Sequence, residues 1–142
     1  MNAAAINTII RLALTEDAAD RDITTQATID SRSRSTAVIV AREKGVLCGT
    51  FLAAAVFREL DPKAVIKIQV KDGQTVRKGQ KILTVKARTR AILSGERVAL
   101  NLISYASGIA TLTRHFVTAA GNKSVKIMDT RKTLPGLRVV AR

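Results

Sequence analysis

Three short runs in this chain carry the β-branched or alternating pattern of strands, and the stretches between them are spaced for helices. Residues 64–70, Ala-Val-Ile-Lys-Ile-Gln-Val, alternate in polarity as a half-buried strand does. Residues 36–42 are a β-branched run, and Lys81-Ile-Leu-Thr-Val-Lys86 closes the set behind a tight turn at Asp72-Gly73. Before them, Ile6, Ile9, Ile10, Ala13 and Leu14 fall at helical spacing, which predicts a helix over 3–15. The polar stretch 16–22 ends it as a loop. Gly45 turns the chain, Val46-Leu47 continues the sheet, and Thr50 is set to cap a helix reaching Leu60. Two more helices are expected at 91–106 and 108–120, joined near Ser107-Gly108, with a last strand at 125–128. This order predicts an α+β fold with a mixed sheet over 36–86, flanked by the helices near 3–15 and 50–60.

Such a fold must be packed almost without aromatic side chains. Of 142 residues, 46% are apolar, yet there are one Tyr, three Phe and no Trp. The core falls to Ala, Val, Ile and Leu. Lys and Arg number 24 against 11 Asp and Glu, a formal charge of +13. A basic chain suits acidic ligands or partners. The cations are spread rather than clustered, and few aromatics interleave with them for base stacking, so nucleic acid is not the expected partner. No apolar run reaches membrane-spanning length. The start of the chain lacks a basic stretch ahead of its apolar part, so it does not read as a secretion signal. The single cysteine, Cys48, sits in an apolar stretch and reads as a small core residue. Together these point to a reducing, cytoplasmic setting.

The chemistry concentrates in Asp129-Thr-Arg-Lys-Thr-Leu-Pro-Gly-Leu-Arg138, behind the apolar run Val125-Lys-Ile-Met128. Arg131 and Lys132 offer a planar fork and a point charge side by side. That pair suits a ligand with several negative oxygens, with a solvated charged loop as the plain alternative. The segment resembles the quinolinate phosphoribosyltransferase family, also called nicotinate-nucleotide pyrophosphorylase (carboxylating). The likeness continues, in the same order along the chain, in Asp22-Ile-Thr-Thr25, Gly45-Val-Leu-Cys-Gly49, Ile92-Leu-Ser-Gly-Glu-Arg-Val-Ala-Leu-Asn101 and Ser107-Gly-Ile-Ala-Thr-Leu-Thr113.

The resemblance implies a hammerhead-like N-terminal domain over 1–105, then the first strand of an incomplete α/β barrel over 106–142. It implies a pentosyltransferase of NAD biosynthesis. Quinolinate and phosphoribosyl pyrophosphate, with Mg2+, give nicotinate mononucleotide, pyrophosphate and CO2. It implies a homodimer in which Arg97 reaches the neighbouring site, while Thr130, Arg131 and Lys132 bind the substrate carboxylates. No catalytic residue is assigned, and the resemblance puts the magnesium ligands outside this chain. Without the resemblance, Arg97 reads as a surface helix residue paired with an acid one turn away. Glu96 reads as a helix N-terminal charge, and Asn101 as a cap or bridge between helices. Thr111 and Thr113 read as hydroxyls bonding back to their own helix, and His115 as a surface residue.

The departures from the family pattern carry equal weight. Arg21 stands where the family has a glycine before Asp-Ile-Thr-Thr. The family's Asn-His-Arg segment, its later Lys, and its Glu and Asp for ribose and metal have no counterpart, and a full barrel needs roughly 200 residues. The segment 71–83 also resembles the turns of lipoyl and biotinyl carrier domains, but no hairpin tip presents a Lys for modification. The expectation is a truncated form of the transferase, inactive as an isolated chain. The alternatives are an inactive folded fragment, or a relative acting on another pyridine acid.

Overall fold

The computed structural model describes residues 3–19, 22–121 and 124–141. The predicted first helix is present as α1, Ala3–Glu16, burying Ile6, Ile10 and Leu14. A short helix, α2, follows at Ile23–Thr28 within what reads locally as polar chain. The strands are β1, Arg34–Val40, β2, Gly45–Val46, β3, Val65–Ile68, β4, Thr75–Val76, and β5, Lys81–Arg88. Between them runs α3, Thr50–Leu60. The chain then enters α4, Thr89–Ala120, and ends in a single turn, α5, Arg138–Ala141.

The main sheet has the order β1-β5-β3, and β2 pairs with β4 in a small separate sheet. Directly opposed residues share a face. The rows Ala37–Val85–Ile66 and Ile39–Leu83–Ile68 therefore form one side, and Val38–Thr84–Lys67 the other. The first side turns inward: Val85 and Leu83 are fully buried and pack with Leu52, Val56 and Phe57 of α3 and Val98 and Ile103 of α4. The result is one layer of helices on one layer of sheet, built from aliphatic residues as the composition requires.

Two glycines set how closely the layers meet. Gly49 takes φ 92°, a left-handed turn that a side chain resists, and hands the chain into α3. Asp72 caps that helix from across the sheet, accepting from the N–H of Gly49 at 2.8 Å, the N–H of Thr50 at 3.1 Å and the Thr50 hydroxyl at 2.7 Å. Thr50 therefore takes its place in the first turn rather than serving as the cap. Gly95 lets α4 approach α3: a Cβ there would lie 2.8 Å from Leu60 Cδ1 and 3.3 Å from Val56 Cγ1.

Several expectations are corrected. The sheet pairings are antiparallel, not mixed. β5 lies between β1 and β3 and runs antiparallel to both, so no two neighbouring strands are parallel. The two helices expected over 91–120 are one helix of 32 residues. Gly108 does not break it, because the turns before it are fixed by burial of Val98, Ala99, Leu102, Ile103 and Ala106. The strand expected at 125–128, the opening strand of the barrel, is absent: Val125, Ile127 and Met128 are exposed and pair with no strand among the described residues. An isolated segment has no ladder to join. Among the described residues, no helix is long and apolar enough to cross a membrane.

Candidate functional site

The predicted substrate residues fall into two places. Arg97 lies on α4 with its side chain 73% exposed, and its Nη1 donates to Asp17 Oδ1 at 2.7 Å. The acid is not one turn away but 80 residues earlier, just past the end of α1. That hydrogen bond, then the charge of Asp17, holds the guanidinium pKa above its ordinary value. One turn before it, Ser94 donates to Asp22 Oδ2 at 3.1 Å. Asp22 in turn caps α2 by accepting from the Thr25 N–H at 3.0 Å. Thr25, through its hydroxyl and its N–H, is the main cause that lowers the Asp22 carboxyl. The far end of α2 is held by Arg90, whose guanidinium donates to the carbonyls of Gln26 and Ile29 at 2.7–2.9 Å. Asp22-Ile-Thr-Thr25 is thus a capped helix clamped onto α4 at both ends. Arg21, the departure from the family pattern, lies outside the described residues.

Thr130, Arg131 and Lys132 lie in the second place. The Thr130 hydroxyl accepts from the Lys132 N–H at 2.8 Å, and the Arg131 carbonyl from the Thr133 N–H at 3.1 Å. This compact turn leaves all three side chains exposed. It borders a groove of ≈ 1020 Å³ against the second half of α4, with Tyr105, Ile109 and Val117 on one side and Met128, Thr130 and Lys132 on the other. Arg97 lies on no wall of that groove; its side chain meets Asp17 instead.

Val46 and Cys48, which line this groove, are held by two hydroxyls one turn apart on α4. Ser107 Oγ accepts from the Cys48 N–H and donates to the Cys48 carbonyl, both at 3.0 Å. Thr111 Oγ1 accepts from the Val46 N–H at 2.8 Å and donates to the Val46 carbonyl at 3.4 Å. Helix positions four apart and strand positions two apart are both roughly 6–7 Å apart, so the hydroxyls stand in for a neighbouring strand. The expectation that Thr111 bonds back to its own helix is therefore corrected. Glu96 lies beyond the first turn of α4 and does not serve its N-terminus, and Asn101 is an exposed mid-helix residue that caps nothing. His115 is exposed, as expected. Cys48 is half-buried against the core, and burial, ahead of the charge of Asp72, pushes its thiol pKa up.

Comparison with known proteins decides the family. The N-terminal domain description of quinolinate phosphoribosyl transferase matches residues 22–107, and the C-terminal domain description matches residues 109–142. The chain belongs to the quinolinate phosphoribosyltransferase family. It is 45% identical over 135 residues to the nicotinate-nucleotide pyrophosphorylase (carboxylating) of Mycobacterium leprae, covering 92% of this chain and 47% of that protein. It is 43% identical over 133 residues to quinolinate phosphoribosyltransferase (decarboxylating) 1b of Nicotiana tabacum, covering 93% and 37%. The crystal structure of NadC from Streptococcus pyogenes superposes with a TM-score of 0.93 at 34% identity, over 99% of this chain and 50% of that one. The nicotinate-nucleotide pyrophosphorylase of Francisella tularensis superposes at 0.91 with 35% identity. The chain thus spans about a third to a half of the length of these family members.

Proposed function

We propose that this chain supplies the carboxylate-binding part of a quinolinate phosphoribosyltransferase of NAD biosynthesis. The observation that carries this reading is the family's C-terminal match across residues 109–142, which contain the Thr130, Arg131 and Lys132 strip. In the reaction the ring nitrogen of quinolinate displaces pyrophosphate from the sugar C1 of phosphoribosyl pyrophosphate. The bond to the 2-carboxylate then breaks as CO2 leaves, and a proton takes its place on the ring, giving nicotinate mononucleotide. Arg131 and Lys132 hold the two adjacent carboxylates by charge-assisted hydrogen bonds, and the Thr130 turn fixes the spacing of the two cations. Arg97 joins them from a second copy of the chain in a homodimer. Its contact with Asp17, rather than with residues lining the groove, supports that arrangement.

Magnesium belongs to the same proposal for the whole enzyme. Among the described residues no group of three or more His, Cys, Asp or Glu could hold a metal ion, so the residues present do not fit it. The chain's own contribution is therefore cationic binding and orientation. The division near residues 105 and 106 is supported by the family descriptions meeting at 107 and 109, and the continuous α4 crosses it. A cytoplasmic setting is proposed from the lone cysteine.

The test is a binding and turnover pair on this chain. Quinolinate is titrated by calorimetry, and nicotinate mononucleotide is sought by chromatography after adding phosphoribosyl pyrophosphate and Mg2+. The reading expects binding that Arg131→Ala and Lys132→Ala each abolish, without turnover by the isolated chain. Equal affinity for nicotinate, which has one carboxylate, would sink the dicarboxylate assignment.

A further inference from the structure

Arg97 is an exposed side chain on a fixed acceptor. Asp17 is 20% exposed against 73% for Arg97. Its own N–H donates to the Ala13 carbonyl at 3.0 Å. The next residue, Ala18, has φ 52°, and it is the one non-glycine residue with positive φ among those described. That conformation is strained for a residue bearing a Cβ, and it persists where surrounding structure imposes it. The turn after α1 therefore holds Asp17 in one place. Ser94 grips Asp22 one turn earlier on α4.

We infer that Asp17 is a positioning residue for Arg97: it holds the guanidinium through Nη1 and leaves Nε and Nη2 for a ligand carboxylate. The inference rests on the reading of Arg97 as a substrate cation. Among the described residues Asp17 is the guanidinium's sole hydrogen-bond partner. Arginine carries five donors in a rigid fork, so one occupied nitrogen still leaves a two-pronged face. A free arginine on a helix must lose its rotamer freedom when it binds, and a side chain ordered beforehand loses less. Against this stands charge. Asp17, Asp22 and Glu96 all face Arg97 electrostatically and oppose a dianion. At so exposed a site that opposition is screened, and the ordering dominates.

The two effects predict opposite signs for Asp17→Asn. Removing a negative charge alone strengthens dianion binding. Removing the positioning contact weakens it. We expect Asp17→Asn to weaken quinolinate binding by about fivefold, with Asp17→Glu recovering most of the loss and the unfolding midpoint unchanged. The Nε–Hε resonance of Arg97, identified by its loss in Arg97→Lys, is expected to be sharp without ligand and to broaden in Asp17→Asn. Unchanged or tighter quinolinate binding by Asp17→Asn overturns the inference, and so does a resonance that stays sharp. If the unsubstituted chain binds no quinolinate, the dicarboxylate assignment fails, and the resonance alone then decides whether Asp17 holds Arg97.

Discussion

Replacing Asp61 should cost this domain more than any other single surface-proximal change. Its side chain, 4% exposed, sits where α3 ends and β5 hands over to α4. Oδ2 accepts from the Arg88 N–H at 2.9 Å and Oδ1 from the Lys63 N–H at 3.1 Å. Arg34 Nη1 lies 3.4 Å away and Arg88 Nε 3.8 Å. Those two arginines oppose each other directly on β1 and β5, a pairing that repels unless an acid sits between them. In Asp61→Ala, two amide donors lose their acceptor, at ~1–3 kcal/mol each. Relief of the carboxylate's own desolvation offsets part of that loss. The net expectation is ~2–4 kcal/mol, a large share of a typical domain's stability. Asp61→Asn keeps one acceptor but turns an NH2 toward the other donor, so ~1–3 kcal/mol is expected.

Urea unfolding followed by circular dichroism reads this as a lower midpoint at constant slope. The pH dependence gives a second check. The Arg88 N–H, ahead of the Lys63 N–H and the two guanidinium charges, holds the Asp61 carboxyl below its usual range. A depressed native pKa stabilises in full above the unfolded value of ~3.9 and is lost as pH falls through the native value. The gap between the parent and Asp61→Asn should therefore be constant at neutral pH and narrow below about pH 4. An Asp61→Ala loss under ~0.5 kcal/mol at neutral pH, the ordinary range of surface changes, refutes the reasoning.

Three further outcomes are expected. Gly95→Ala gains ~1 kcal/mol of helix propensity but crowds fully buried Val56, a penalty of ~1–3 kcal/mol, so a net loss in urea unfolding is expected. Thr111→Val leaves the Val46 N–H without its acceptor, and that amide should exchange with solvent at least tenfold faster, about 1.4 kcal/mol of lost protection. Leu112, Phe116 and Val117 are each more than half exposed along α4; sedimentation should show concentration-dependent self-association, reduced in Leu112→Glu/Phe116→Glu.

The elements were legible where local pattern and tertiary demand agree. The period-2 runs became β3 and β5, and the helical spacing before residue 16 became α1, because each face that looked apolar found a layer to cover it. Reading failed where a distant residue decides. Asp22 lies in a charged stretch with no local helical spacing, and α2 forms there because Asp22 caps it and Arg90, more than 60 residues later, donates to the carbonyls of Gln26 and Ile29 at its end. Gly108 looked like a break, yet burial of the turns before it, down to Ala106, carries the helix through. Residues 125–128 have strand composition but, among the described residues, no neighbour to complete a ladder, and they stay exposed outside any strand.

The candidate site divides along the same line. Arg131 and Lys132 stand together because they are adjacent in sequence, and a run of two cations needs no folding to be seen. Arg97 gains meaning from Asp17, and nothing in the local sequence links positions 80 residues apart. The available signal was weak but physical. Glu16 ends an apolar helix and Asp17 follows it directly, where an acid is opposed by the negative end of the helix dipole. Such a placement is unfavourable unless the carboxylate has a cation to meet, and α4 brings Arg97 to it. An acid at a helix C-terminus and an unpaired cation on another helix form a joint clue, stronger than either alone.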